Sequence, residues 1–274
     1  MTAHFSTSLV QIQSARNSAD GIAGGYSSAF NIWIDGSVLA HNDNDINGGK
    51  WGSFAMINMG ADYLLSEKAL LGLSFHYDHM TSPTDEDAEL KGNGWLAGPY
   101  ASFEIGKGVF WNGSLLYGGS SNDIDTLFWD GSFETKRWMA DTSIEGEWDL
   151  GNATTLTPRL RAVYFTENVE DYTIGNAAGD TITIDGFDAK QFRISLGSEI
   201  TRSFTLERGA TLKPSFAVTG GFAALDGSGA FGTAKAGLSL QTEELWTLDA
   251  SLLFNIEGEG RKSVGARVAA GRQF

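Results

Sequence analysis

A set of charged side chains at alternate positions is the group of residues in this chain that most resembles a functional site. Four carboxylates share one stretch at even separations and two arginines follow in the next: Asp141, Glu145, Glu147, Asp149, Arg159 and Arg161. Alternate residues of a β-strand lie on one face, and opposite charges on adjacent antiparallel strands pair across that face. The spacing therefore predicts a salt-bridge network on one face of a sheet, where it stiffens the wall and hydrates the space beside it.

Two further groups contain residue types that hydrolases and divalent metal sites use. Histidines and aspartates gather toward one end of the predicted strands: His41, Asp43, Asp45, His76 and His79. Acidic residues fill one connection: Asp85, Glu86, Asp87 and Glu89. The chain has four histidines in all, and no spacing singles out a nucleophile with its base. An acidic loop is usually solvated, so we predict neither a catalytic nor a metal site, with weak divalent-cation binding as the alternative.

Twelve predicted strands carry these residues, and each alternates apolar with small or polar side chains. The last strand, 262–274, shows the pattern clearly. One of its faces carries Val264, Ala266, Val268, Ala270 and Phe274, and the other carries Ser263, Gly265, Arg267, Ala269, Gly271 and Gln273. If the sheet closes into a barrel, this strand pairs with the first one, at about 29–41, and no edge is left free.

The connections between the predicted strands alternate in length. Short turns are expected at 66–68, 106–108, 151–153, 206–209 and 241–244, and longer loops at 42–50, 81–91, 122–131, 168–186, 225–229 and 257–261. An even strand number with short turns at one end and longer loops at the other is typical of bacterial outer-membrane barrels. Tryptophan and tyrosine near the strand ends would form the interfacial girdles: Trp51, Tyr63, Tyr77, Trp95, Trp111, Tyr117, Trp138, Trp148, Tyr164 and Trp246.

The composition excludes several classes of function. The chain has 274 residues, no cysteine and a formal net charge of −15. This charge argues against binding nucleic acid by neutralising its phosphates, and the lack of cysteine excludes disulfide and thiolate chemistry. No stretch approaches the roughly 18 apolar residues of a membrane-spanning helix, but a barrel strand places only alternate residues against lipid.

A soluble barrel or sandwich would show the same alternation, with its apolar face buried in a core. The chemistry of the two faces favours the membrane, because the polar face is rich in glycine and serine with both charge signs, and the apolar face is unusually aromatic. The first residues, Met1-Thr2-Ala3-His4, lack the basic and apolar regions of a signal peptide. We therefore expect Met1 to begin an excised fragment whose export signal lies upstream, with a cytosolic protein as the alternative.

Several short motifs, taken in order, resemble the C-terminal translocator β-domain of autotransporters, the type V secretion proteins. They are Asn31-Ile32-Trp33-Ile34, Gly60-Ala61-Asp62-Tyr63 leading to Leu71-Gly72-Leu73, Gly98-Pro99-Tyr100, Leu196-Gly197 and the terminal Phe274. The resemblance covers about 27–274 and departs from the family at Arg272, where an aromatic residue is common. It implies an all-β fold: a twelve-stranded antiparallel transmembrane up-and-down barrel, with an N-terminal helix in its lumen.

The resemblance also gives roles to the two ends of the chain. Residues 1–26 would form a linker and pore helix, and a weak helical spacing does run through 4–24, with a free terminal tail as the alternative. Part of the acidic wall would then hold Arg16, and the barrel-assembly machinery would read Phe274 as its signal. Some autotransporters cut themselves at a helix asparagine beside acidic wall residues, and Asn17 is the sole asparagine of this segment. We expect no enzymatic activity, with such self-cleavage as the alternative.

The sequence thus predicts a monomeric translocator of the bacterial outer membrane, with a hydrophilic pore that exports and anchors an N-terminal passenger. Its expected partners are that passenger, the barrel-assembly machinery, and outer-membrane lipid with lipopolysaccharide. Neither a cofactor nor nucleic acid is expected. A porin-like channel without a passenger, or an outer-membrane barrel hydrolase, is the alternative.

Overall fold

The computed structural model is one antiparallel sheet of sixteen strands. It describes residues 29–42, 49–83, 88–206, 209–242 and 246–273. In chain order the strands are β1 (Phe30–Asn42), β2 (Trp51–Ser66), β3 (Ala69–Pro83), β4 (Glu89–Gly106), β5 (Val109–Asp125), β6 (Asp130–Gly146), β7 (Trp148–Gly151), β8 (Thr154–Val169), β9 (Tyr172–Gly175), β10 (Thr181–Ile184), β11 (Phe187–Arg202), β12 (Phe204–Thr205), β13 (Thr211–Leu225), β14 (Gly229–Gln241), β15 (Trp246–Glu257) and β16 (Lys262–Gln273). A search of these residues finds no helix with the length and apolarity of a transmembrane span.

The twelve long strands form a closed wall, and four short ones (β7, β9, β10 and β12) extend it. The first and last strands pair along their lengths, from Ile32 opposite Arg272 to Asn42 opposite Lys262. The remaining gap is closed by β6 pairing with β8. The predicted closed antiparallel barrel of twelve strands is therefore confirmed. The predicted helix falls in 1–28, outside the described residues.

Apolar side chains cover the outside of the barrel, in the alternation that the sequence predicts. The most exposed include Leu73 (67%), Leu252 (67%) and Val268 (65%). Nine of the ten girdle aromatics are exposed in the same way, and Trp111 is half-buried because it stacks on Phe103 with ring centroids 5.7 Å apart. Such an exterior is costly in water and favourable in lipid, so the outer face is built for a bilayer.

Two predicted loops are shorter than expected because the strands continue beyond the apolar belt. The loop expected at 122–131 shrinks to 126–129, since β5 runs to Asp125 and β6 starts at Asp130. The loop expected at 168–186 contains the hairpin of β9 and β10, which pairs with β6 at Asp130 and Gly131. In these extensions the outward residues are polar, so the sequence pattern resembles a loop although the backbone is a strand.

A proline in the middle of β4 coincides with a gap in the hydrogen-bonded ladder. The pairing of β4 with β5 jumps from Ala97 opposite Tyr117 to Tyr100 opposite Ser114, which leaves out Gly98 and Pro99. Proline has no N–H to donate, and a strand tolerates it where a ladder bond is absent. The two backbones approach closely here, because a Cβ on Gly98 would lie 2.1 Å from the Leu115 carbonyl oxygen.

Candidate functional site

The lumen of the barrel has two unlike halves. Inward side chains of β1–β6 pack closely, and among them lie the buried residues Leu70, Tyr100, Phe110 and Leu116. Residues of β8, β11 and β13–β16 instead line most of a cavity of about 480 Å³. The interior is therefore a packed wall on one side and an open, polar surface on the other.

A hydrogen-bonded aromatic cluster anchors the packed half near the ends with short turns. The Trp33 indole N–H donates to the Tyr100 hydroxyl at 2.7 Å, and that hydroxyl donates to Asp62 Oδ2 at 2.6 Å. The Asn31 amide donates to the same carboxylate oxygen at 3.2 Å. Tyr100 lies over Gly72, where a Cβ would come within 2.3 Å of its ring. Glycine on the inward face of β3 is what allows the tyrosine to reach across two strands.

A second polar row crosses the seam where the chain closes on itself. Asp35, Asn58 and His76 lie directly opposite one another on β1, β2 and β3. Asn58 donates to Asp35 at 2.8 Å, and its amide oxygen lies 2.8 Å from His76 Nδ1. The guanidinium of Arg267 on β16 pairs with the same Asp35 carboxylate. Because Asp35 is only 3% exposed, this contact ties the last strand to the first from inside the lumen.

The predicted charge network is partly assembled in the structure. Arg159 lies directly opposite Glu145 and donates from Nε to Oε2 at 2.8 Å. Arg161 donates two hydrogen bonds to Asp141, from Nε to Oδ1 at 2.9 Å and from Nη2 to Oδ2 at 2.5 Å. Glu145 is 1% exposed and also accepts a hydrogen bond from the Asn112 amide at 3.1 Å. Four of the six residues thus form two adjacent ion pairs on the inner wall.

The other two predicted carboxylates lie beyond the end of β6 at Gly146 and outside these two ion pairs. Glu147 interacts electrostatically with Lys213 of β13. Asp149 lies in the exposed β7 and accepts a hydrogen bond from the Gly151 backbone N–H at 2.7 Å. Asp149 therefore serves the turn between β7 and β8.

Sequence reasoning missed Arg137, which spans two strands on the inner wall. Its Nε donates to Glu167 of β8 at 2.7 Å, and its Nη1 reaches both oxygens of Asp78 on β3 at 3.1 Å. The guanidinium passes over Gly94, where a Cβ would lie 1.9 Å from Nη1. The sequence did contain one signal for this contact. It is an inward glycine on β4, between an acidic residue on β3 and an arginine on β6.

Three further ion pairs in the lumen were also not predicted. Arg193 pairs with Glu257 at 2.7 Å and lies over the Phe231 ring, 4.1 Å from its centroid. Lys235 pairs with Glu199 at 3.1 Å. The third is the Arg267 contact with Asp35 at the seam. Each pair joins residues from strands that are distant in the sequence.

The sequence profile of the Autotransporter beta-domain family matches residues 32–251 of the chain. The chain belongs to this family. It is therefore a translocator β-domain of the bacterial outer membrane, and membership implies a linked passenger domain.

Solved structures of autotransporter barrels share the fold. The translocator domain of NalP from Neisseria meningitidis has a TM-score of 0.73 at 15% identity, over 97% of this chain and 95% of that one. The β-domain of Bordetella BrkA has a TM-score of 0.72 at 14% identity, over 90% and 100% of the two chains. The transport unit of AIDA-I from Escherichia coli has 0.66 at 13%, over 98% and 100%. Comparison with curated proteins gave no match.

Among the described residues of this β-domain, the other sequence candidates do not converge on one site. His76 is buried in the lumen, where its Nε2 lies 2.9 Å from the Ser74 hydroxyl, whereas His79 is on the outer face, 2.9 Å from Asn93 Oδ1. His41 lines the cavity, and Glu89 forms an exposed ion pair with Lys91 at 2.5 Å. Within the described part of the chain, no three His, Asp or Glu residues are grouped as metal ligands. The remaining candidates lie outside the described residues: Arg16, Asn17, Asp43, Asp45, Asp85, Glu86, Asp87 and Phe274.

Proposed function

We propose that the lumen of this β-domain is the passage through which its passenger is exported and in which the linker is then held. The observation that carries this proposal is the contrast between the two faces of the wall. The outside is apolar, with Leu252 and Val268 about two-thirds exposed, while the inside presents ion pairs around a cavity of about 480 Å³. An extended polypeptide needs hydrated surroundings to cross lipid, because unpaired backbone groups are costly in hydrocarbon.

Export can be tested with a reporter passenger fused ahead of residue 1 and behind a signal peptide. We expect added protease to digest the reporter on intact Gram-negative cells, because a translocator places its passenger outside. A reporter that stays in the periplasm while the barrel inserts normally would contradict export and favour a porin-like channel. A fusion without the barrel is the control for leakage through damaged membranes.

We further propose that residues 1–26 form the linker and that 4–24 lie as a helix in the lumen, with Arg16 held by the acidic wall. A helix with its side chains is about 10–12 Å across. Twelve strands fall between eight, whose interior side chains can fill, and sixteen, which leave an aqueous channel, so one helix would fit. Residues 27–274 would then be the barrel domain, closed around its own linker.

Deleting residues 1–24 is expected to raise the single-channel conductance in planar lipid bilayers, because the deletion would remove the material that fills part of the pore. The full chain, refolded and inserted in the same lipid, is the comparison. Unchanged conductance would mean that the segment lies outside the lumen. Replacing Arg16 by glutamine tests its contact with the acidic wall, and we expect a smaller increase.

We also propose that Phe274 is an assembly signal. Removing this one residue, which follows β16 in the sequence, is expected to reduce surface assembly in cells far more than stability in detergent. Expression of the truncated chain in a bacterium and its refolding from inclusion bodies measure the two effects. Normal assembly in cells would contradict the signal, and equal failure in both settings would give Phe274 a structural role in closure.

The remaining partners follow from the same proposal. The barrel-assembly machinery would read the last strand, and outer-membrane lipid with lipopolysaccharide would cover the apolar wall. We propose a monomer without enzymatic activity, with no self-cleavage at Asn17 and no nucleic-acid partner. The chemistry of the proposal is transport, through a lumen whose wall carries ion pairs such as Arg159 with Glu145 and Arg161 with Asp141.

A further inference from the structure

The cavity on the open half of the lumen carries an excess of positive charge, although the chain as a whole is acidic. Among the described residues that line it, seven are lysine or arginine and three are carboxylates: Asp35, Glu199 and Glu257. The formal net charge of the chain is −15 at pH 7. The net charge at the cavity surface is therefore opposite in sign to the net charge of the whole chain.

In two ion pairs of the cavity, the arginine side chain is much more exposed than its carboxylate partner. The Arg159 side chain is 31% exposed and its partner Glu145 is 1% exposed. Arg267 is 26% exposed and its partner Asp35 is 3% exposed. In both pairs the guanidinium reaches the accessible surface of the lumen and the carboxylate scarcely does. A channel walled by low-dielectric protein concentrates such a field, so these pairs leave a positive potential in the lumen.

The third pair lies between these two and is balanced. Lys235 is 22% exposed and Glu199 is 29% exposed, with Nζ 3.1 Å from Oε1. Because both side chains reach the lumen, either charge can be removed without leaving its partner in a dry site. This pair therefore offers a way to change the charge of the lumen in both directions.

We propose that the lumen passes small inorganic anions in preference to cations, and that Arg159, Lys235 and Arg267 set this preference. The cavity runs from His41, near the end of β1 that meets the longer loops, to Thr157, near the start of β8 at the opposite end. The charged surface thus lies along the passage. The proposal requires that the barrel span the membrane and that the full chain, with 4–24 in the lumen or outside it, leave a path open to ions. It does not depend on what the barrel exports.

The test is the reversal potential of the full 274-residue chain in planar bilayers across a potassium chloride gradient. We expect chloride to be more permeant than potassium. The preference should be stronger at about 0.01 M salt than at 1 M, because the screening length falls from about 30 Å to 3 Å over that range. Potassium preference, or a full chain that does not conduct at all, would overturn the proposal.

Two substitutions in one ion pair should shift the permeability ratio in opposite directions. Lys235→Gln should lower the chloride-to-potassium ratio and Glu199→Gln should raise it, each by roughly sevenfold. One elementary charge about 7 Å away in water changes the local concentrations of chloride and potassium by about threefold each, in opposite directions. Lys190→Gln is the matched control, because Lys190 pairs with Asp188 on an exposed part of β11 where both side chains are 47% exposed. We expect it to leave the ratio unchanged.

Heat-modifiable gel mobility identifies which variants fold before their currents are measured. If one variant of the pair fails to fold, the other still gives a shift of defined sign. Shifts of the same sign, no shift, or an equal shift in the Lys190 control would overturn the assignment to the lumen. A chain that prefers chloride and does not export a reporter would contradict the proposed function and leave this inference intact.

Discussion

Replacing Leu252 with arginine is expected to destabilise the folded barrel by roughly 2–4 kcal/mol, the cost of a cationic side chain at the bilayer midplane. Leu252 lies in the middle of β15, opposite Ala236 on one side and Ala266 on the other. It is 67% exposed on the outer face, so the guanidinium would enter hydrocarbon with no polar neighbour. The fraction of folded protein in lipid vesicles, read from heat-modifiable gel mobility across a urea series, measures the loss.

The matched control places the same side chain inside the barrel. Thr219 lines the cavity, with Gly197 and Thr233 opposite it on the adjacent strands. Thr219→Arg should fold far better than Leu252→Arg, because its charge reaches the hydrated lumen. We choose it over Ser251→Arg because Ser251 lies directly opposite Arg267, and two like charges would repel each other there. Equal folding of the two variants would contradict this assignment of the inner and outer faces.

Replacing Arg159 with glutamine is expected to destabilise the barrel by about 3 kcal/mol, because it leaves a buried carboxylate without its partner. Glu145 is 1% exposed and would keep only the Asn112 amide among the contacts described above. The reverse change, Glu145→Gln, should cost less, since the arginine that remains is 31% exposed and can be hydrated. The size of the effect thus depends on which charge is left behind.

The double variant Arg159→Gln with Glu145→Gln completes the cycle and should recover most of the lost stability, because no buried charge is then left without its partner. Urea unfolding in detergent measures all four proteins. Lys136→Gln is the control: its pair with Glu170 is 60% and 56% exposed, and an exposed pair contributes about 0–1 kcal/mol. Equal losses for the two single variants would contradict the asymmetry of the pair.

The contacts that the sequence did not predict show what local sequence patterns cannot reveal. Arg137 and Asp78 are 59 residues apart in the chain, and nothing in either local pattern connects them. They meet because β4 and β5 place glycines on the inner wall between them. The Arg267 pair with Asp35 spans 232 positions and exists only because the last strand pairs with the first. Asp149 is the opposite case: its spacing predicted that it belongs to the charge network, but β6 ends before it and it lies outside the network.

The sequence alone determined the class of fold, the strand number and the face of each strand, because a period of two has a direct physical cause. Successive side chains of a strand point to opposite faces, and a wall between lipid and a polar lumen must alternate accordingly. The tertiary structure alone decided which inward side chains meet, how the lumen divides into a packed half and an open half, and which member of each ion pair is exposed. These properties depend on register, on closure and on the room left by glycines, and all three arise only when strands distant in the sequence become neighbours.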